Sequence, residues 1–142
     1  MIELVPLVDL PELHDPAITG EWAPAFAKFA IDAQIPPWCS YLARRDDQFV
    51  ATGGFNGPPD KDHWAEIAYI TFLPWRSQGV ATAVAARLMQ IAKAEGLKGV
   101  FAHTLPEENA STRVLVANGF TFVGEGSDPD EGSVWRWERA FL

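Results

Sequence analysis

Glu66-Ile67-Ala68-Tyr69-Ile70-Thr71-Phe72-Leu73-Pro74-Trp75-Arg76-Ser77-Gln78-Gly79-Val80-Ala81-Thr82 is the stretch on which the fold turns. Its first part is an apolar run rich in aromatic and β-branched residues, the pattern of a buried strand. Pro74 ends that strand because it has no N–H to give to a ladder. A long helical pattern follows Arg76-Ser77-Gln78-Gly79-Val80-Ala81. Strand, tight turn and helix start together aim several backbone N–H groups at one point. Those donors lack partners at a helix N-terminus, where the helix dipole also favours an anion. Gly79 has no side chain and Ala81 a small one, so an anion can come close to the backbone. The stretch reads as a cradle for a pyrophosphate.

Two common phosphate turns are excluded. The Lys-Ser/Thr pair of a nucleotide-hydrolysing loop is missing, and so are the three spaced glycines of a dinucleotide-binding turn. Outward from the cradle, Val80, Val84, Leu88 and Ile91 mark the buried stripe of a helix that runs to about Glu95, with Gly96 as its stop. Gly99–Thr104 reads as the next strand, so strand, helix and strand imply a right-handed parallel crossover. Pro106–Ala117 reads as a second helix, and Phe120–Glu125 and Val134–Phe141 as final strands. On the other side, Ile2–Val8 is a first strand. Trp22, Phe26, Phe29 and Ala33 recur at helical spacing over Trp22–Gln34. Ser40–Arg44 and Phe49–Phe55 read as a hairpin around Arg45-Asp46-Asp47-Gln48, and Gly53-Gly54 marks a bulge or a close packing contact.

The 142 residues, 48% hydrophobic, suit one domain, 1–142, with one core. No run approaches the ~20 apolar residues of a membrane span, and the N-terminus lacks the basic start of a secretory signal. The single cysteine, Cys39, forms no internal disulfide and suits a reducing, cytoplasmic setting. The net charge of −8 argues against a nucleic-acid partner. It favours solubility and the approach of cationic amines.

Arg76, Gly79 and Ala81 match Arg/Gln-x-x-Gly-x-Gly/Ala, and here the chain resembles the GNAT family of N-acetyltransferases. A second stretch, Ala110-Ser111-Thr112-Arg113-Val114-Leu115-Val116-Ala117-Asn118-Gly119-Phe120, resembles the Asn-x-Ala-Ser-x-Arg-Val-Leu-x-x-x-Gly-Phe helix of the branch containing ribosomal-protein alanine N-acetyltransferases. The likeness covers Glu66–Phe120 well and the flanks loosely. It implies an α/β (α+β) fold: a mixed, mostly antiparallel sheet of six to seven strands, splayed at its centre, with helices on both faces. It implies acetyl-CoA as cosubstrate, no metal, and direct attack of a primary amine on the thioester. The acceptor is a protein N-terminus or a small-molecule amine. The alternative is a non-catalytic acyl-CoA-binding or sensing module of the same fold.

The resemblance also assigns roles. Glu66 is the candidate general base, directly or through water, and Ser111 the candidate partner of the leaving thiolate. Arg76, Ser77, Gln78, Gly79, Val80, Ala81 and Thr82 are the candidate pyrophosphate site. A backbone N–H at Thr71 or Phe72 is the candidate oxyanion donor and pairs with the pantetheine arm. The family asparagine falls on Glu108, one place before Asn109, which is the candidate for its role. The tyrosine that other branches carry on this helix is Leu115 here. Pro74 sits one residue nearer Arg76 than is usual. Trp38 and His63 are candidate walls of the acceptor site, with core packing or a homodimer contact the alternative for Trp38. His103 is a second histidine at a strand end that can line it.

Overall fold

A computed structural model describes residues 2–6, 35–128 and 132–141. Its strands are β1 (Glu3–Pro6), β2 (Ser40–Arg45), β3 (Gln48–Phe55), β4 (Trp64–Thr71), β5 (Gly99–Thr104), β6 (Thr121–Asp128) and β7 (Gly132–Ala140). They form one seven-stranded sheet in the order β1-β2-β3-β4-β5-β7-β6. Of the neighbouring pairs only β4 and β5 run parallel. The described helices are α1 (Val80–Ala94) and α2 (Ala110–Ala117), with a 3-10 turn at Leu73–Trp75 between β4 and α1. This is the mixed, mostly antiparallel α/β sheet that the sequence implies. The helix read at Trp22–Gln34, which would cover a second face, lies outside the described residues.

Local chemistry sets the joints. β2 and β3 turn on Asp46 and Asp47, both at positive φ (50° and 67°), as a two-residue hairpin turn requires. Gly53 and Gly54 mark close packing rather than a bulge. A Cβ on Gly53 would lie 2.5 Å from Val84 Cγ1 of α1, and one on Gly54 would lie 2.5 Å from the Cys39 carbonyl oxygen. The irregularity in this hairpin falls at Ala43/Arg44 instead. α1 therefore sits hard against β3, and it buries Val80, Val84, Ala85, Leu88 and Ala92. Gly96 follows the helix at φ +80° as its stop.

Two boundaries differ from expectation. α2 starts at Ala110, not near Pro106. Asn109 caps it, accepting from the Thr112 N–H at 3.0 Å while Thr112 Oγ1 accepts from the Asn109 N–H at 3.0 Å. This capping box satisfies the first turn's donors and fixes the start. β6 and β7 are longer than read, because their pairing runs out to Asp128 and Gly132.

The feature that positions the site is the β4–β5 contact. Trp64, Ala65 and Glu66 pair with Gly99, Val100 and Phe101, and there the pairing stops. β4 continues to Thr71 and β5 to Thr104, so the strands part beyond Glu66 and Phe101. α1 crosses over one face of this gap. Gly53, which packs on Val84, pairs with Tyr69. Ile67, Tyr69 and Thr71 therefore share the helix face, and Glu66, Ala68 and Ile70 take the other.

Candidate active site

A cavity of about 700 Å³ opens where β4 ends and the two helices begin. Its walls come from Tyr69, Ile70 and Thr71 of β4, from Trp75, Arg76, Ser77 and Gly79–Thr82, and from Ala110, Ser111, Arg113, Val114 and Ala117 of α2. Among the described residues, two arginines and no carboxylate line it, in a chain whose net charge is −8. That lining suits an anion.

The turn is built as an anion cradle. Gly79 is the N-cap of α1 at φ +77°, and no side chain caps the helix. The first intrahelical bond runs from the Ala83 N–H to the Gly79 carbonyl at 3.1 Å. The amides of Val80, Ala81 and Thr82 precede it and lie in the cavity wall. Ser77 also adopts positive φ, 63°. A Cβ on Gly79 would meet nothing within 4 Å, so the space over it is open.

Side chains around the turn hold it rather than fill it. Gln78 accepts from Arg45 at 3.0 Å and donates to the Pro74 carbonyl at 3.3 Å, and Arg45 stacks 5.2 Å from the Trp75 ring. The cradle is thereby tied to the β2–β3 hairpin. Arg76 Nε donates to the Thr71 carbonyl at 3.3 Å. The Asn118 amide bridges the helices, donating to Thr82 O at 3.2 Å and Val114 O at 3.0 Å.

Backbone alternation separates the two oxyanion candidates. The Phe72 N–H donates to Val50 O of β3 at 2.9 Å, so it points away from the gap. Thr71, one residue earlier, aims its N–H and C=O the opposite way, toward the gap. Of the two, Thr71 presents a strand edge to an extended chain.

Ser111 lies in the first turn of α2 and lines the cavity. Its carbonyl accepts from the Tyr69 hydroxyl at 3.3 Å. Burial pushes the Tyr69 phenol well above its ordinary pKa. Leu115, in the place of the family tyrosine, is fully buried.

Glu66 faces away from α1, beside the point where the strands part. Its Oε2 lies 2.8 Å from His103 Nδ1. The pairing went unread in the sequence because neither side chain signals the other. It follows only once Glu66 and Phe101 are in register.

Other candidates stand elsewhere. Asn109 does not line the cavity; its carboxamide caps α2. Trp38 packs edge-on against Phe55, with ring centroids 5.0 Å apart. His63 is exposed at φ +66° in the turn before β4, and its carbonyl accepts from the Lys98 N–H at 2.9 Å. Neither joins the cavity. Tyr69, Trp75, Arg113 and Asn118 are contributors that the sequence did not single out. Of these, only the basic charge of Arg113, on the helix already matched by motif, was a usable signal.

Comparison with known proteins agrees with this architecture. The description "Acetyltransferase (GNAT) domain" matches residues 7–121. No curated protein sequence matches the chain. Among solved structures, RimL, a ribosomal-protein alpha-N-acetyltransferase in complex with coenzyme A, is similar at TM-score 0.78 and 18% identity, over 99% of this chain and 94% of that one. The microcin self-immunity acetyltransferase MccE, with acetyl-CoA and AMP, is similar at TM-score 0.75 and 14% identity, over 99% and 92%. A ribosomal-protein-alanine N-acetyltransferase from Brucella melitensis is similar at TM-score 0.69 and 16% identity, over 99% of each chain.

Proposed function

The chain belongs to the GNAT family of acetyltransferases, and on that premise we propose that it transfers an acetyl group from acetyl-CoA to a primary amine in a ternary complex. The observation that carries the cofactor is the cradle. An uncapped helix start with left-handed Ser77 and Gly79 opens on a cavity lined, among the described residues, by Arg76 and Arg113 and by no acid. The residues fit a diphosphate: backbone N–H groups of Val80, Ala81 and Thr82 meet its oxygens, and the arginines balance its charge. The thioester supplies an activated acetyl group, and the rest is the protein's work. The Thr71 edge supports an extended pantetheine arm as an added strand would. The arm points along the gap toward the end where Glu66 stands.

An alkylammonium must lose a proton before it can attack, since such amines titrate near 8 to 10. Glu66, on β4 beside the point where the strands part, assists that deprotonation. Ser111 is the partner of the departing sulfur in this reading, which its position in the cavity lining supports. RimL and the Brucella protein act on ribosomal proteins and MccE serves microcin immunity, so the acceptor class stays at primary amines: a protein N-terminus or a small molecule.

A second reading, a non-catalytic acyl-CoA module, draws on Leu115 standing where other branches place a tyrosine. One pair of measurements separates the two. Coenzyme A titration by calorimetry tests the cradle. An acceptor screen over N-terminal peptides, amino acids, polyamines and aminoglycosides, reading released thiol, tests the chemistry. Binding without turnover supports the module, and no binding removes both readings.

A further inference from the structure

Two side chains from different strands meet where the sheet opens. Parallel register sets Glu66 opposite Phe101, and His103 lies two residues on, on the same face. His103 Nδ1 and Glu66 Oε2 are 2.8 Å apart. The two side chains keep 24% and 23% of their surface open, so a solute can reach them. Resting on the acetyltransferase reading above, we infer that Glu66 and His103 act as a dyad: His103 Nε2 takes the proton from the acceptor ammonium, and Glu66 is a positioning residue that holds the ring.

A carboxylate can only accept a hydrogen bond, so its partner on the ring is Nδ1–H. A neutral ring fixed that way carries its lone pair on Nε2. The neighbours keep both ends of the pair in role. Gly126 of β6 lies beside Nε2: a Cβ built there would sit 4.0 Å away, at ordinary contact distance, so the glycine keeps a side chain off that nitrogen. Phe101 meets the imidazole edge-on with centroids 5.7 Å apart. Arg136 is opposite His103 in the β5–β7 register, yet its guanidinium lies 3.9 Å from the Phe101 ring centroid and its Nε donates to Glu138 at 2.8 Å. With that cation held by Glu138, the Glu66 carboxylate is left to the histidine.

The chemistry favours this division. Imidazole is a stronger base than a carboxylate in water by about two pKa units, nearer the amine it must deprotonate. In the step, Nε2 takes one proton from the ammonium and the amine lone pair forms the C–N bond. The C–S bond breaks, the second amine proton goes to the departing sulfur, and the imidazolium, stabilised by Glu66, returns its proton to solvent.

Two experiments on the full chain test this. The first needs no activity: nitrogen-15 spectra of the neutral His103 ring. The Nδ1–H tautomer is expected in the wild type and is lost in Glu66→Ala; an Nε2–H tautomer in the wild type overturns the dyad. The second is kinetic. His103→Ala is expected to lower kcat by about a hundredfold or more, leave coenzyme A affinity within about twofold, and regain at least ~tenfold with added imidazole. A fall of under about threefold, or a loss that imidazole does not restore, assigns His103 no proton transfer. If the wild type neither binds coenzyme A nor acetylates any amine, the broader reading fails, and the tautomer alone decides whether Glu66 orients His103.

Discussion

Gly79 is the residue at which backbone conformation and ligand chemistry meet. Its φ of +77° is one that L side chains adopt at a cost of about 1–2 kcal/mol. A Cβ there would meet nothing within 4 Å among the described residues. Gly79→Ala should therefore fold, with a Tm lower by a few degrees on the scale of roughly 2–6 °C. The methyl group would project into the open cradle, so coenzyme A affinity should fall by about tenfold, the loss of one charge-assisted contact. Scanning calorimetry and titration calorimetry separate the two effects; unchanged affinity would move the diphosphate elsewhere. Tyr69 gives a pH prediction. Its phenol is raised by burial, so above pH ~10 the unfolded chain releases a proton that the folded chain keeps. The stability linked to Tyr69 is complete below its unfolded pKa and declines as pH rises past it, by about 1.4 kcal/mol per pH unit. Tyr69→Phe should flatten urea-derived stability above pH ~10 relative to wild type; an identical slope would contradict the burial.

At the scale of elements, the strand–turn–helix unit was readable because each part carries its own local signal: a β-branched run, a proline stop, a glycine at the turn, and a 3.6-residue stripe. The start of α2 was not. Pro106, Glu107 and Glu108 look like a first turn, but the capping box between Asn109 and Thr112 wins because it satisfies two backbone groups at once. That makes Asn109 a cap rather than a cavity wall. Asn109→Ala should lose about 1 kcal/mol in urea denaturation, and Asn109→Asp should retain the cap. Coenzyme A affinity should change little in either; a large affinity loss in both would restore the ligand role that the motif implies. The glycine pair in β3 was legible as a bulge or a close contact, but neither which of the two nor which neighbour each glycine meets. Gly53→Ala presses on the Val84 side chain and Gly54→Ala on the backbone at Cys39 and Ser40. A side chain can shift where a backbone cannot. Gly53→Ala should thus cost about 1–3 kcal/mol, and Gly54→Ala more than that, by the same denaturation.

Over the whole molecule, charge and topology act together. The sequence made the acidic balance plain but not where the exceptions lie, because that depends on which strands part and which helix starts face the gap. The fold gathers Arg76 and Arg113 into one cavity with no carboxylate among its described lining residues, in a chain whose net charge is −8. A polyanionic ligand is therefore repelled at long range and attracted at short range. Salt screens exposed charges beyond about 8 Å at physiological strength, so it weakens the repulsion along with the attraction. The affinity of the wild type for coenzyme A should consequently vary little with ionic strength. Removing both arginines leaves the short-range pull of the backbone N–H groups against an undiminished long-range repulsion. Arg76→Ala/Arg113→Ala should bind about tenfold or more weakly at low salt, and its affinity should rise as salt is added. Titration calorimetry across an ionic-strength series reads both the size and the sign. An affinity that still falls with salt in the double variant would mean that other cations hold the phosphates, and the cavity lining would not be the cause of binding.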